Sequence, residues 1–384
     1  MSFEFATAGR IVFGPGRITD AGNLASGLGD RALLVTGASL ERAAPLDAIL
    51  HEAGLETCLL PVEHEPTIEF AQRGRQIALD TKCDLVIGFG GGSAIDAGKA
   101  IAALIPNGGD PLDFLEVIGR GQPLLHPPLP FIAIPTTAGT GSESTRNAVL
   151  ASPEHRVKVS LRSAAMLPRI ALVDPELTHS MPPGVTATTG LDALTQVIEP
   201  FLSAQRNPLT DSICREGIVR AAGALLRAYQ DGEDSGARQD MSLASLMGGL
   251  ALANAGLGAV HGFAGPFGGM YRAPHGAICA ALLPHVMKVN LSVLDRREAT
   301  GDLRARFDEV ACMLTGDPTA KASDGVAWLA KLCAQMQIPG LGSYGLSQEN
   351  FPALIEKASV SSSMKGNPVP LNSDDLRQIL ELAL

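Results

Sequence analysis

The sequence predicts an α/β domain followed by an all-helical domain. Three observations predict this division: short apolar runs alternate with helical stretches in the first half, such runs stop near residue 180, and 384 residues exceed the usual size of one hydrophobic core. Three prolines between Pro175 and Pro183 mark the boundary. We therefore expect an α/β domain over residues 1–178 and a helical domain over residues 179–384, with ligand chemistry in the cleft between them.

The predicted strands are apolar runs of about four to six residues that end near Gly or Pro. This pattern is typical of parallel strands buried on both faces of a sheet. Helical segments separate the first three runs, which indicates βαβ units and a doubly wound sheet. The runs are RALLVTG, ETCLLPV, CDLVIGFGGGS, PFIAIPTT, NAVLAS, RVKVSL and RIALVDP.

The composition favours a globular protein that acts on a small molecule. Hydrophobic residues make up 46% and charged residues 18% of the chain, unlike a disordered sequence. A net charge of -10 without a run of Lys or Arg disfavours a nucleic-acid or anionic-membrane surface. The first residues do not resemble a signal peptide, and six cysteines without a C-x-x-C pair indicate reduced thiols, so we expect a cytoplasmic protein.

Residues 241–260 form an uncharged stretch long enough to span a membrane. Ser242, Ser245, Asn254 and four glycines lower its hydrophobicity. A helix buried on all sides of a large domain is therefore the preferred interpretation.

Two polar loops follow predicted strands and could bind a dinucleotide. In DLVIGFGGGSAIDAGKA, the glycines from Gly90 to Gly92 allow backbone N–H groups to approach a pyrophosphate, and Ser93 occupies the expected helix N-cap. In IPTTAGTGSESTRN, hydroxyl groups could donate to a phosphate or a nicotinamide amide. Close packing of glycines and an ordinary Ser/Thr-rich loop are the structural alternatives.

Two histidines occur in matching contexts, His261 in AVHGFAG and His275 in APHGAIC. Imidazoles from separate segments, joined by a carboxylate such as Asp192, form a common set of ligands for a divalent cation. Asp192 and Gln196 lie four residues apart in TGLDALTQVIEP, and therefore on one face of a helix.

Together these motifs resemble the iron-containing (group III) alcohol dehydrogenase family. The similarity covers GFGGGSAIDAGKA, IPTTAGTGSE, VDPELT, PPGVTATTGLDALTQVIEPF and YRAPHGAICAALLPHVMK in order, and extends over nearly the whole chain. The resemblance implies a Rossmann-like amino-terminal domain, an all-α carboxyl-terminal domain and a dehydroquinate synthase-like architecture. It also implies NAD(P)-linked interconversion of alcohols and aldehydes or ketones at a metal.

The resemblance transfers site residues onto this sequence by motif. The implied ligands of Fe²⁺ or Zn²⁺ are Asp192, Gln196, His261 and His275, of which Asp192, His261 and His275 are also the implied catalytic residues. The implied cofactor contacts are Gly37, Ser39, Gly91, Gly92, Ser93, Asp96, Thr136, Thr137, Ser142 and Lys158.

Two departures from the family pattern concern the metal and the proton. Gln196 stands where the family usually has His, and Gly265 stands where a further His often lies close to substrate. Asp192, His261 and His275 still suffice for a catalytic zinc with an open fourth position. The alternative is that the protein has lost its metal and only binds a dinucleotide. Without an imidazole at Gly265, water or a ribose hydroxyl would have to carry the proton.

The choice between NAD and NADP depends on the residues that follow the second and third predicted strands. Gly37 stands where NAD-preferring relatives often have a carboxylate, which permits NADP with Ser39 as a donor. Glu65 stands where the family often has Asn, and its charge would disfavour a 2′-phosphate. The sequence favours NADP weakly and leaves NAD open.

The remaining expectations concern the substrate and the assembly. Phe263, Phe267 and Tyr271 are predicted to line a pocket for a small or medium, partly apolar aldehyde. We expect a homo-oligomer, a dimer by resemblance. A dehydroquinate-synthase-like lyase is the alternative enzyme class, but residues 240–290 hold only Arg272 and Lys288 as cations for a phosphate and carboxylate substrate.

Overall fold

The computed structural model describes residues 2–155, 157–297 and 302–384. The chain divides into two compact units. The first comprises Ala6–Thr137 and Gly141–His179, and the second comprises Ser180–Leu384 with Ala138–Thr140 and a short amino-terminal segment. The main division therefore falls at His179, beside the predicted domain boundary.

The first unit has eight strands and four helices among its described residues. The strands are β1 (Ile11–Phe13), β2 (Arg31–Gly37), β3 (Glu56–Val62), β4 (Leu85–Gly90), β5 (Phe131–Pro135), β6 (Asn147–Ser152), β7 (Val157–Arg162) and β8 (Ile170–Val173). The helices are α1 (Ala21–Ser26), α2 (Leu40–Glu52), α3 (Ile68–Asp80) and α4 (Gly92–Asn107). The predicted strands are confirmed, whereas β1 was not predicted.

Six strands form one parallel sheet in the order β1-β8-β5-β4-β2-β3. Hydrophobic side chains from α3 and α4 cover one face, and those from α1 and α2 cover the other, which confirms a doubly wound α/β unit. In register, Thr36 pairs with Phe89 and Gly90 pairs with Pro135. The carboxyl ends of β2, β4 and β5 therefore share one edge, which is where such sheets bind ligands.

The strands β6 and β7 form a separate antiparallel hairpin. Ala151 pairs with Lys158, and an isolated bridge joins Ala151 to Thr67 just before α3. The hairpin consequently places Lys158 next to the segment that follows β3.

The second unit contains only helices and turns within the range that the structure describes, as predicted. Its helices are α5 (Pro183–Leu202), α6 (Pro208–Gln230), α7 (Ser235–Ala255), α8 (Ala259–Met270), α9 (His275–Arg296), α10 (Leu303–Thr315), α11 (Ala322–Gln335), α12 (Phe351–Ser359) and α13 (Ser373–Ala383). The helices α5 and α6 pack closely at Gly190, where a Cβ would lie 2.2 Å from a methyl group of Leu225.

The uncharged stretch at 241–260 is two helices rather than one. The helix α7 ends at Ala255, Gly256 adopts φ +68°, and α8 begins at Ala259 after a bend of 97°. The helix α9 is also long and apolar enough to cross a membrane, but 78% of its apolar window is buried in the protein. We therefore interpret both regions as helices of the protein core.

Candidate metal and dinucleotide sites

Three buried polar side chains of α5 point from one face of that helix. Asp192, Gln196 and Glu199 are spaced at four and three residues, which corresponds to successive turns. They are between 1% and 6% exposed within an otherwise apolar core. Burial of this many polar groups in one place is expensive unless they bind one another or a ligand.

The histidines of α8 and α9 meet the Asp192 carboxylate. The Nε2 atom of His261 lies 3.3 Å, and that of His275 lies 3.9 Å, from the Oδ1 atom of Asp192. The two imidazole ring centroids are 5.4 Å apart. The structure thus brings together three of the residues that the sequence analysis assigned to a metal.

Cys279 joins this cluster, although sequence reasoning missed it. Its Sγ atom lies 3.8 Å from Nε2 of His261 and 3.7 Å from Nε2 of His275. One ligand atom from each of Asp192, His261, His275 and Cys279 lies within 4.8 Å of the others. His275 and Cys279 are four residues apart on α9, a spacing that could have revealed the pair.

Glu199 fixes the orientation of His261 and was also missed. Its Oε2 atom lies 2.7 Å from Nδ1 of His261, and its Oε1 atom accepts the backbone N–H of Val260 at 2.7 Å. A Cβ at Gly258 would lie 2.8 Å from Oε1, so glycine is needed for this close approach. Because Nδ1 is bound to a carboxylate, Nε2 is left for a metal, as in many metal sites with histidine.

Burial and neighbouring charged groups shift the pKa values of three members of this cluster. Burial raises the pKa of Asp192, but His275 and His261 outweigh burial and lower it. Burial lowers the pKa of His261, but the neighbouring carboxylates of Asp192 and Glu199 raise it well above 6.5. Burial raises the pKa of the Cys279 thiol to about 12. The cluster therefore holds protons that a bound cation would displace.

A divalent cation fits this group of residues. The Oδ1 atom of Asp192 and the Oε1 atom of Gln196 are fully buried, and neither has a hydrogen-bond partner among the described residues. A cation between the donor atoms would satisfy Asp192 Oδ1, whose lack of a partner is otherwise costly. The amide of Gln196 hydrogen-bonds the Asp192 carboxylate and helps to lower its pKa.

The predicted aromatic pocket walls are wrong for two of three residues. Phe263 and Phe267 are completely buried in the helical core, so neither lines an open pocket. The ring of Tyr271 stacks on that of Phe267 at 4.7 Å, and Tyr271 keeps partial exposure. Phe263 and Phe267 are four residues apart and therefore lie on one face of α8, which packs into the helical core. A side chain at Gly265 would have room, since its Cβ would meet no described atom within 4 Å.

The glycines at the end of β4 lead directly into α4, at the loop that the sequence analysis assigned to a pyrophosphate. Gly90 has φ +155°, and a Cβ there would lie 2.8 Å from Cβ of Ala94 and 3.1 Å from N of Gly37. The helix α4 begins at Gly92 with Gly91 as its N-cap, so the prediction that Ser93 is the N-cap is wrong. Without a capping side chain in the described structure, the first N–H groups of α4 point toward a potential phosphate site.

The second predicted cofactor loop contacts these glycines. Thr136 and Thr137 follow β5, and a Cβ at Gly91 would lie 3.3 Å from Cγ2 of Thr137. The loop continues through Ser142 to β6. The two loops that the sequence assigned to a dinucleotide therefore meet at the carboxyl edge of the sheet.

Buried Lys99 anchors the second loop, a role that the sequence analysis did not anticipate. Its Nζ atom donates to the carbonyl of Ser142 at 2.9 Å, to the hydroxyl of Thr145 at 2.8 Å and to the carbonyl of Asn147 at 2.5 Å. It also lies 3.4 Å from Oδ1 of Asp96. Burial lowers the pKa of Lys99 and raises that of Asp96. Asp96, predicted as a cofactor contact, thus participates in fixing the loop.

The remaining predicted cofactor residues lie beside β2 and β3. Ser39 caps α2 by accepting the N–H of Arg42 at 3.4 Å. Lys158 Nζ lies 2.5 Å from Oε1 of Glu65, so each charge is compensated by the other. A Cβ at Gly37 would meet no described atom within 4 Å, which leaves space at the end of β2.

Comparisons with known proteins agree along the whole chain. A family model described as iron-containing alcohol dehydrogenase matches residues 8–175, and one described as the carboxyl-terminal part of the Fe-containing alcohol dehydrogenase family matches residues 186–384. Alcohol dehydrogenase 4 of Saccharomyces cerevisiae (strain YJM789) is 35% identical over 92% of this chain and 91% of its own length. The 1,3-propanediol dehydrogenase of Klebsiella pneumoniae is 34% identical over 99% and 98%. The crystal structure of a 1,3-propanediol oxidoreductase superposes with a TM-score of 0.93 at 32% identity, covering 100% of both chains.

Proposed function

Because this chain belongs to the iron-containing alcohol dehydrogenase family, we propose that Asp192, His261 and His275 bind the divalent cation at which its substrate reacts. The protein is an NAD(P)-linked oxidoreductase that acts on CH–OH groups, and its family uses NAD(P) and a divalent metal. The observation that supports these ligands is a buried carboxylate oxygen without a hydrogen bond, facing two imidazole nitrogens.

Each residue of the proposed site has a distinct task. Asp192 contributes negative charge, and Glu199 holds the His261 ring so that Nε2 faces the cation. The side chain of His275 is 37% exposed, against 1% for Asp192, so substrate approaches from the side of His275. These residues would hold a cation that could polarise the substrate oxygen, while a bound dinucleotide would exchange a hydride with the substrate carbon.

The proton released from the alcohol has no imidazole at position 265 to accept it. Gly265 leaves open space where relatives often have His, so we propose that water in this space carries the proton released from the alcohol. The basicity of a proton carrier controls its efficiency. A Gly265→His variant should consequently change the pH profile of turnover, and an unchanged profile would contradict this route.

We propose NADP as the preferred dinucleotide. Gly37 removes the carboxylate that would repel a 2′-phosphate, and the space at this position is open. The Glu65 carboxylate, which argued for NAD, is paired with Lys158 and its charge is compensated. The proposed phosphate contacts are the first N–H groups of α4, with Thr136, Thr137 and Ser142 at the neighbouring loop.

We further propose a small-molecule substrate and a cytoplasmic setting. A small or medium alcohol or its aldehyde fits an enzyme whose relatives are named for propanediol, and a small-molecule substrate agrees with the net charge of -10. Free cysteines, three of them completely or nearly buried in the second unit, agree with a cytoplasmic protein. We expect a homodimer, which light scattering would check.

A combined metal and activity measurement tests the proposal. The purified full chain is analysed for bound metal and then assayed for NADPH oxidation with a panel of aldehydes. We expect about one divalent cation per chain, turnover with at least one aldehyde, and loss of turnover when a chelator removes the cation. Tight NADPH binding without metal or turnover would instead identify a dinucleotide-binding protein that has lost its activity.

A further inference from the structure

We infer that the thiolate of Cys279 is the fourth protein ligand of the proposed cation, in place of Gln196. The ligand set would then be one carboxylate, two imidazoles and one thiolate. Soft thiolate ligands select zinc over ferrous iron more strongly than imidazole or amide ligands do. This inference rests on the proposed function, because it concerns the same cation site.

The spacing of the donor atoms is that of a tetrahedral zinc site. Zinc–sulfur bonds of about 2.3 Å and zinc–nitrogen bonds of about 2.0–2.1 Å place S and N about 3.5 Å apart in a tetrahedron. The two S···N distances of Cys279 are 3.7 and 3.8 Å. The same geometry places N and O about 3.3 Å apart, and the Oδ1 atom of Asp192 lies 3.3 Å from Nε2 of His261 and 3.9 Å from Nε2 of His275. Small side-chain movements would therefore bring all four atoms into coordination.

A second observation points independently to a cation at this position. The Oδ1 atom of Asp192 is buried without a hydrogen bond in the described structure, and it faces both Nε2 atoms that approach Cys279. A protein rarely leaves such an oxygen unpartnered. Because this oxygen lies next to the sulfur and the two nitrogens, we infer that one cation is bound by all four atoms.

Gln196 is the weaker candidate for the fourth position, although its Oε1 atom is also buried without a hydrogen-bond partner among the described residues, because a neutral amide oxygen binds zinc less strongly than a thiolate. Its amide N–H hydrogen-bonds the Asp192 carboxylate, which directs the donor end of the amide at that ligand. Its Oε1 atom lies 3.5 Å from where a Cβ of Gly248 would be, against helix α7. Gln196 is thus placed to orient Asp192, while the sulfur replaces the donor that an imidazole at position 196 would have supplied.

Coordination by Cys279 has defined chemical consequences. The thiol loses its proton to solvent as the cation binds, so metal binding releases one more proton than an Asp-His-His site would. With four protein ligands, the substrate oxygen would have to occupy a fifth coordination position, which zinc accepts in transition states.

Cobalt substitution of the full chain tests the inference. The metal-free protein is loaded with Co²⁺, and the near-ultraviolet spectrum is recorded with metal analysis on the same sample. We expect one Co²⁺ per chain and a thiolate-to-cobalt charge-transfer band. Cys279→Ser should remove the band and weaken Zn²⁺ binding by about 100-fold or more, since even loss of a residue that orients a ligand costs 10–100-fold. Gln196→Ala should keep the band.

Cys333→Ser is the matched control, since Cys333 is a nearly buried thiol of the same unit whose sulfur contacts the carbonyl of Ala280. It should keep both the band and the zinc affinity. Stoichiometric Co²⁺ without the band in the wild-type protein would overturn the inference and leave the proposed three-ligand site intact. Failure to bind Co²⁺ or Zn²⁺ at all would overturn both. Because the wild-type spectrum decides the question, a Cys279→Ser variant that fails to fold does not prevent the test.

Discussion

Replacement of Glu199 by Ala should weaken metal binding without removing a ligand. Glu199 accepts from His261 Nδ1 and from the Val260 backbone N–H, both at 2.7 Å, inside a core where it is 6% exposed. Residues that orient a metal-binding histidine contribute about 10–100-fold to metal affinity. This corresponds to about 1.4–2.7 kcal/mol. We expect Zn²⁺ affinity to fall within that range in Glu199→Ala.

The same substitution should also destabilise the fold. It leaves two buried N–H donors without their acceptor, at about 1–3 kcal/mol each. Glu199→Gln is the control, because one amide oxygen can accept from one of the two donors, and it should show an intermediate zinc affinity. Zinc affinity is measured by competition with a chromophoric chelator, with circular dichroism on the same samples to verify folding. A folded Glu199→Ala protein with wild-type affinity would refute the orienting role of Glu199.

Three further predictions concern the first unit. Lys99→Met should lower the free energy of unfolding in urea by about 3–5 kcal/mol, because it leaves Asp96 buried and unpaired, whereas adding Asp96→Asn should recover part of the loss; no recovery would contradict the pairing. Gly37→Asp places a carboxylate where a 2′-phosphate would bind, so it should lower the ratio of kcat/KM for NADPH to that for NADH by at least about 10-fold. Steady-state kinetics with both cofactors measure this ratio, and an unchanged ratio would contradict the prediction. Burial raises the pKa of Glu143 from 4.5 to about 7, so the folded state holds this proton more tightly than the unfolded state and stability is lost as pH rises through that window. As the pH rises from 4.5 to 8, the wild type should therefore lose about 3 kcal/mol of unfolding free energy that the Glu143→Gln variant does not lose. If the unfolding free energies of the two proteins change with pH in parallel, the prediction is wrong.

Much of the α/β unit could be predicted because its strands are short apolar runs with clear ends. RALLVTG gave β2 at the same residues, since a parallel strand buried on both faces leaves no alternating pattern and Gly37 ends it. The strand β1 is three residues long and lies at the sheet edge, where too few residues are buried to produce such a signal. The separation of β6 and β7 into their own hairpin depends on pairing across the fold, which no local pattern records.

The site could be predicted only for those residues that occur in recognisable sequence motifs. Asp192, His261 and His275 occur in motifs, and the structure brings them together. Cys279 was overlooked because cysteines were judged by their spacing to one another, whereas its partner is a histidine one helical turn away. The role of Glu199 depends on the approach of the α8 backbone to α5, which the sequence does not specify. Ser93 was expected to be the N-cap because of its residue type. The helix α4 already begins at Gly92, so Gly91, the last residue with an extended backbone, is the N-cap.

Anomalous scattering from crystals of the full chain grown with Zn²⁺ tests the central claim most directly. The account predicts one strong peak at coordination distance from Asp192 Oδ1 and from Nε2 of both His261 and His275. Density that joins the same peak to Cys279 Sγ would support the fourth ligand as well. Crystals that contain Zn²⁺ elsewhere but show no peak among these atoms would contradict the assignment of the metal site.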